Sequence, residues 1–358
     1  MNTNNTKTAE NAAIDINPIP YLTWTWLKIN KDSVSYDFNL SENQGCEVQL
    51  AEGIKVSTGK TVTTQLPEPQ FSIGDQAAKL ISDAAPEGKI YTIEKSADQP
   101  LIIRIKLDSN SATHQIIHAK AGTTANVIIV YESSADSSAL SGVITKVYAE
   151  DDTKLHISKV QLCGKAVNQI DDTAVVCGER AKVSFTQIEL GASHINAGFH
   201  ATLEGYQSSF YSDTAYICQG NQYLDMNQVV VHKGKKTVCD MKTHGTAKDE
   251  TTKTYRGTID MRRGCAGSVG NEIETTLLLS PKAVVKAAPI ILCGEEDIAA
   301  EHGSTIGKLS DEMLFYMNSR GIDQKTAEEL LTRAKITAAA NGIEDEEIQK
   351  EIEDFLNR

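Results

Sequence analysis

The chain has 358 residues, of which 40% are hydrophobic and 23% charged, and it carries a formal net charge of −13 at pH 7. An acidic chain lacks the basic face that neutralises phosphates, so we expect no nucleic-acid partner. The first twenty residues are polar, unlike an export signal, and no run of about 18 apolar residues is present. We therefore expect no membrane span and a cytoplasmic location. The seven cysteines include no C-x-x-C pair, which argues against a structural zinc site or a disulfide framework.

The N-terminal third divides into two regions. Residues 1–20 are predicted to be a flexible leader and residues 21–110 an N-terminal α/β region, in which "DQAAKLISDA" (75–84) has the pattern of a short helix. The stretch "GIKVSTGKT" (53–61) nearly matches a phosphate-binding loop, but five residues separate its glycines where the motif needs four. We predict that this stretch binds no nucleotide.

The middle of the chain repeats at a nearly constant interval. The apolar residues Val127, Leu155, Val183, Phe210 and Val238 are separated by 28, 28, 27 and 28 positions, and the neighbouring residues alternate as in strands. One such unit cannot bury its apolar face alone, whereas stacked units share a continuous core. The repeat predicts a mainly β fold, a right-handed parallel β-helix over residues 111–305, with a β-sandwich of accidental spacing as the alternative.

Residues 306–358 form a predicted C-terminal helical region. Ser310 and Asp323 are placed as N-caps of two helices, and Gly321 and Gly342 follow their ends. A third helix, near the end of the chain, has Ile348, Ile352 and Phe355 on one side. These helices are expected either to cap the end of the solenoid or to present a groove to another protein.

One stretch near the end of the predicted solenoid holds groups that could bind a metal. Glu301 and His302 are adjacent, and Cys239, Cys265 and Cys293 are 26 and 28 residues apart, close to the repeat length, so they could form a column. Thiolate, imidazole and carboxylate ligands suit iron. The alternative is a column of buried cysteines together with a histidine on the surface.

Four segments resemble the SufB/SufD family of the SUF iron–sulfur cluster assembly system. They are "TWTWLKIN" (23–30), "KTYRGTIDM" (253–261), "NEIETTLLLS" (271–280) and "EHGSTIGKLSDEMLFYMNSRGI" (301–322). The last is the longest and most specific, and its "EHGSTIG" form is most similar to the SufD branch.

The resemblance implies a right-handed β-helix and a non-catalytic scaffold in a SufB–SufC–SufD complex. It implies that the ATPase SufC docks on the C-terminal helices, where the matching residues are Leu314, Phe315, Tyr316, Arg320 and Gly321, and that SufB pairs with the β-helix. No tightly bound cofactor is expected.

The resemblance also places the family histidine on His302, at the interface with SufB. There a transient iron ion or iron–sulfur cluster would bind, with Glu301 and, more weakly, Cys293 as further candidates. Many family members carry a cysteine two residues before that histidine, where this chain has Ala300. The thiolates would then come from SufB.

Two other functions stay open at this point. One is a SufB-type scaffold that pairs with itself, and the other is a β-helix carbohydrate lyase or hydrolase. Flavin binding and the stoichiometry of a complex are also left open.

Overall fold

The computed structural model describes residues 13–22 and 25–358. Two large β-sheets dominate it, and the chain alternates between them. The N-terminal strands are β1 (Ile14–Ile16), β2 (Asp32–Val34), β3 (Ser41–Glu42), β4 (Cys46–Gln49) and β5 (Ile54–Gly59), with a 3-10 turn at Thr25–Leu27. Strand β5 covers most of the near-match to a phosphate loop, which is therefore extended backbone.

The remaining strands are longer and regularly spaced. They are β6 (Gly88–Ile93), β7 (Leu101–Lys106), β8 (Ser111–Ala119), β9 (Thr124–Glu132), β10 (Leu140–Ala149), β11 (Lys154–Leu162), β12 (Asn168–Cys177), β13 (Lys182–Glu189), β14 (His194–Leu203), β15 (Ser209–Cys218), β16 (Tyr223–His232), β17 (Val238–Ala247), β18 (Thr252–Met261), β19 (Ser268–Leu278), β20 (Val284–Cys293) and β21 (Ile298–Gly307).

Sheet 1 has the strand order β20-β18-β16-β14-β12-β10-β8-β6-β5, with β3 also pairing with β8, and sheet 2 has the order β21-β19-β17-β15-β13-β11-β9-β7-β4. From β6 onward, neighbours within a sheet are two strands apart in the chain, so each turn of the chain adds one strand to each sheet. The pairs from β6–β8 and β7–β9 onward are parallel. This is a β-solenoid of about eight turns, which confirms the predicted fold class. Parallel pairing begins before residue 111, the predicted start of the solenoid.

Alternate side chains of each strand fill the interior, because successive residues of a strand point to opposite faces. Near the middle, Phe185, Phe199 and Phe210 meet with ring centroids 5.0 to 6.2 Å apart.

The predicted register is correct at two of the four steps. Leu155 pairs with Val183, and Val183 with Phe210, but Val127 pairs with Ile157 and Phe210 with Cys239. The turns differ in length by a few residues, so a constant spacing slips out of register.

The N-terminal segment lies across the outer face of sheet 1. Helix α1 (Asp75–Ala84) has the predicted bounds. The buried Asp172 carboxylate on β12 accepts hydrogen bonds from the backbone N–H groups of Ser72 (2.5 Å) and Ile73 (2.8 Å), which fixes the approach to α1. Of the predicted leader, residues 1–12 lie outside the described residues, whereas Ile14–Ile16 pair antiparallel with β2.

Three helices end the chain: α2 (Asp311–Ser319), α3 (Gln324–Ala340) and α4 (Glu346–Leu356), and the first two begin at the predicted N-caps. The Ser310 and Asp323 side chains accept hydrogen bonds from the backbone N–H groups of Met313 and Thr326. Helices α3 and α4 lie along the outer face of sheet 2 and do not cap the end of the solenoid. Their buried side chains (Ile336, Ala339, Ala340, Ile348, Ile352) share a core with outward-facing residues of that sheet (Ile128, Val130, Val160, Ile188).

A bidentate ion pair also fastens α4 to sheet 2. Arg104 Nη1 and Nη2 donate to the Glu351 carboxylate at 3.0 and 2.6 Å. Among the described residues, no helix is long and apolar enough to cross a membrane.

Candidate functional site at the open end of the solenoid

His302 lies on β21, which ends sheet 2. This strand pairs with β19 on one side, and in the part of the chain that the structure describes no strand pairs with its other edge. Residues 301–306 are accordingly exposed. The last turn of the solenoid, β20 and β21, therefore presents an open end.

The alternation of side chains fixes which residues of β21 face the interior. Ile298 and Ala300 pack against the core, and the Ser304 hydroxyl donates to buried Glu274 Oε2 at 2.5 Å. His302 lies between Ala300 and Ser304 in this series, so its side chain faces the same way. Glu301 points to the opposite face. The two adjacent candidates are thus on different sides of one strand.

Beneath His302 lies a buried carboxyl group that the sequence did not single out. Glu272 on β19 is the register partner of His302 and is fully buried. The Tyr255 hydroxyl lies close enough to this carboxyl group to favour its ionised form. Burial raises the pKa of Glu272 to about 8, so this group is largely protonated at neutral pH. The space for it comes from Gly257, where an added Cβ would stand 1.8 Å from Glu272 Oε1.

Glu274, two residues on, belongs to a buried ion pair. Its Oε1 lies 2.6 Å from Lys253 Nζ, and both side chains are fully buried. Thr276 donates to the same carboxylate and contacts the Tyr216 hydroxyl at 2.6 Å. Burial lowers the pKa of Lys253, and Glu274 opposes that shift. The interior below the open end is therefore partly polar, as it is in the middle of the solenoid, where Lys159 and Asp171 form a buried ion pair at 2.6 Å.

On the outer face near the open end, apolar side chains are exposed to solvent. Val269 and Ile273, which alternate with the buried carboxyl groups on β19, are 36% and 53% exposed. This inverted pattern was available in "NEIETTLLLS", where Glu272 and Glu274 share a face and Ile273 has the other. It was not predicted because an apolar residue is normally assigned to the interior.

The predicted cysteine column does not form. Cys239 is on β17 and pairs with Gly270, Cys265 lies in the turn between β18 and β19, and Cys293 is on β20, where it pairs with Met261. Two strands contribute to each turn and the connections vary in length, so equal spacing does not place these residues on one strand. Cys239 and Cys265 are buried, and Cys293 is exposed.

The remaining predicted residues form an exposed surface on α2. No side chain of this helix is buried, and Phe315 and Tyr316 are 75% and 55% exposed. Arg320 lies at the C-cap with its guanidinium 5.5 Å from the centre of the Tyr316 ring. Leu314 is half-buried, and Gly321 has a φ of 80°, the left-handed conformation typical of a residue just past a helix. We call Leu314, Phe315, Tyr316, Arg320 and Gly321 the α2 surface.

The open end offers few groups that could bind a metal ion. His302 offers one exposed imidazole, and among the described residues no group of three or more His, Cys, Asp or Glu side chains is arranged to hold a metal ion. An iron ion or a cluster held here would therefore need ligands from another chain.

The sequence model of the SufBD core domain of the SUF system for FeS cluster assembly matches residues 103–335. The chain belongs to this family. It is 24% identical over 266 residues to "Iron-sulfur cluster assembly protein SufD" of Bacillus subtilis, covering 73% of this chain and 60% of that protein.

Two further relatives agree. A chloroplastic SufBD family protein of Arabidopsis thaliana is 25% identical over 70% of this chain and 47% of its own length. SufD of Escherichia coli is 24% identical over 46% of this chain and 38% of its own. The chain thus spans about half the length of the curated relatives it matches. The predicted family is confirmed, and the relatives named SufD support the SufD branch.

Proposed function

We propose that this chain is a SufD-like, non-catalytic scaffold subunit of a SufB–SufC–SufD complex in the cytoplasm. A SufB-type partner binds the open end of the solenoid, and a SufC-type ATPase binds the α2 surface. Iron or a nascent iron–sulfur cluster is the cargo, held transiently between His302 and ligands from the SufB-type chain. Family membership supports the role in cluster assembly.

The observation that carries the proposal is the open end itself. An unpaired edge strand offers backbone N–H and C=O groups to another strand, and a protein that stays monomeric usually protects such an edge. Here the edge strand is ten residues long, carries His302, and has the exposed side chains of Val269 and Ile273 on the next strand. A partner that pairs with β21 would bury both features together.

The α2 surface supports a second, separate partner. Helices α3 and α4 bury their apolar faces on sheet 2, whereas α2 leaves its aromatic side chains in solvent. Exposed aromatic residues beside an arginine are typical of the centre of protein interfaces. The two surfaces share no residue, so each can be altered by itself.

Co-expression of the full chain with a SufB-type and a SufC-type protein tests these assignments. We expect Ile273→Lys to lose the SufB-type chain and to keep the ATPase, and Phe315→Ala with Tyr316→Ala to do the opposite. Both positions are exposed, so the variants should fold as the wild type does. Thr305→Lys alters the outer face of β21, opposite to His302. Loss of the SufB-type chain in this variant as well would show that the partner covers the outer face of both β19 and β21. Retention of both partners by both variants would refute the assignment of surfaces.

The same unpaired edge also supports the alternative of self-pairing, in which two copies of this chain join at β21. The molar mass of the complex formed with the SufC-type protein alone separates the two. A particle with one copy of this chain favours the SufD-like role, and one with two copies favours the SufB-type role.

A carbohydrate lyase or hydrolase has less support. Such an enzyme needs carboxylates that reach the substrate, and the pair Glu272 and Glu274 is buried.

A further inference from the structure

A cavity of about 540 Å³ lies on the outer face of sheet 1, under the N-terminal segment. Its floor consists of two rows across β14, β16 and β18. One row is His200, Val229 and Thr258, and the next is Thr202, Val231 and Asp260. The walls come from residues 18–20 and 70–75. The cavity uses no residue of the open end or of the α2 surface.

Two buried polar atoms around this cavity have no hydrogen-bond partner among the described residues. They are Thr258 Oγ1 and Asn227 Oδ1, each on a side chain that is 1% exposed. The Asn227 amide nitrogen donates to the carbonyls of Ser72 (2.8 Å) and Pro18 (3.2 Å), which leaves its oxygen facing elsewhere. Buried polar groups are nearly always paired, so two unpaired ones around one cavity, beside the imidazole of His200, indicate a site for a polar molecule.

The mouth of the cavity carries two cations. Lys233 follows β16 and Arg262 follows β18, neighbouring strands of sheet 1. Each forms an ion pair with its own carboxylate: Lys233 Nζ lies 3.0 Å from Glu204, and Arg262 Nη2 lies 2.6 Å from Asp260. Both keep further N–H donors free, since a guanidinium has five and an ammonium three.

The two cations at the mouth also act on His200. Burial, together with repulsion by Lys233 and Arg262, lowers the pKa of His200 to about 4, although a hydrogen bond to its own backbone opposes the shift. The imidazole is therefore neutral at pH 7 and can both donate and accept a hydrogen bond. The N-terminus of α1 also borders the cavity at Gly74, and no side chain caps it. Its partial positive charge favours an anion, although Asp75 at the first position of the helix offsets part of it.

We propose that this cavity binds a small organic anion, either a phosphate monoester or a carboxylate. Its charged group lies between Lys233 and Arg262 at the mouth, its apolar body covers Val229 and Val231, and polar atoms at its inner end pair with His200, Thr258 and Asn227.

Calorimetric titration of the full chain tests the proposal with four probes: phenyl phosphate, inorganic phosphate, benzoate and acetate. Saturable binding of phenyl phosphate or benzoate is expected below about 10 mM, tighter than that of the matching probe without a ring. The stronger of the two aromatic probes identifies the anion class. No saturable binding of any of the four would overturn the proposal.

Charge-matched variants distinguish a built site from general attraction. Lys233→Met with Arg262→Gln should weaken binding at least about tenfold, because both charge-assisted hydrogen bonds are lost. Lys235→Met with Arg263→Gln removes the same charge from neighbouring turn residues that do not line the cavity. This control should stay within about twofold of wild type. Equal weakening in both double variants would show an adventitious anion only.

Thr258→Val tests the inner end of the cavity. In the ligand-free chain it removes an unpaired buried hydroxyl without changing the shape, so the melting temperature should stay the same or rise. Binding of the aromatic probe should weaken by about threefold or more. A lower melting temperature with unchanged binding would show that Thr258 serves the fold alone, and the inner end of the proposed site would be wrong.

Discussion

The middle of the solenoid and its open end follow the same alternation of side chains but differ in what covers them. Both interiors hold buried charge, since Lys159 and Asp171 form an ion pair in the middle as Lys253 and Glu274 do at the open end. The outer faces differ: in the middle, outward-facing Val160 and Ile188 are buried under α3 and α4, whereas at the open end outward-facing Ile273 is exposed. The difference indicates that the outer face of the middle serves stability and that of the open end serves contact with another molecule.

The largest expected effect contrasts one residue from each region. Phe199→Ala should lower the free energy of unfolding by about 4 kcal/mol, because it leaves a cavity among three packed rings. Ile273→Ala should change it by less than about 0.5 kcal/mol, because its side chain is exposed. Urea denaturation measures both values. Similar losses would mean that the open end contributes to the core as the middle does.

Unlike exposed Ile273, the buried ion pair at the open end should be costly to disrupt. Lys253→Met leaves the Glu274 carboxylate buried without its counter-charge, and we expect a loss of about 3 kcal/mol. The double variant Lys253→Met with Glu274→Leu should recover most of that loss. A double-mutant cycle in urea gives the coupling between the two positions. Additive effects would argue that the pair does not interact across the interior.

A third prediction concerns the pH dependence of stability in the middle region. Burial raises the pKa of Glu189 to about 8, well above its value in an unfolded chain. Between about pH 5 and pH 8 the folded protein therefore holds a proton that the unfolded chain has released. Stability falls as the pH rises through this window, by on the order of 1 kcal/mol per unit.

Glu189→Gln should remove that slope. The comparison is the difference between wild type and variant in urea midpoints at each pH, since Asp172 and Glu272 also titrate with raised pKa values. A difference that stays constant with pH would show that Glu189 is ionised in the folded protein.

The smallest expected effect on stability belongs to His302. The imidazole is exposed on an edge strand, so His302→Ala should change the free energy of unfolding by less than about 0.5 kcal/mol. Thermal unfolding of the isolated chain measures it. A large loss would indicate that the histidine serves the fold and would weaken its assignment to cargo binding.

Local signals predicted the helices well, and the repeat predicted the solenoid. Helix α1 has the predicted bounds, and α2 and α3 begin at the predicted caps Ser310 and Asp323, because capping depends on residues that are close in sequence. The register was harder, because turn length is set by the connections and not by the strands. Val127 consequently pairs with Ile157 rather than Leu155.

The site was only partly predictable, for a physical reason. His302 was identified through the family resemblance, whereas Glu272 was missed because its burial depends on a pairing with β21 and on the space at Gly257. Neither is visible in a local pattern. The opposite orientation of Glu301 follows from strand geometry, but only once residues 298–307 are known to be a strand.

The most direct test of the proposed scaffold role is the cluster yield of the co-expressed three-protein complex after anaerobic reconstitution, followed by absorption spectroscopy. His302→Ala is compared with Glu301→Gln, which alters the neighbouring side chain on the other face of β21. We expect a loss of most of the cluster with His302→Ala, a wild-type yield with Glu301→Gln, and an unchanged complex in both. A wild-type yield with His302→Ala in an intact complex would contradict it.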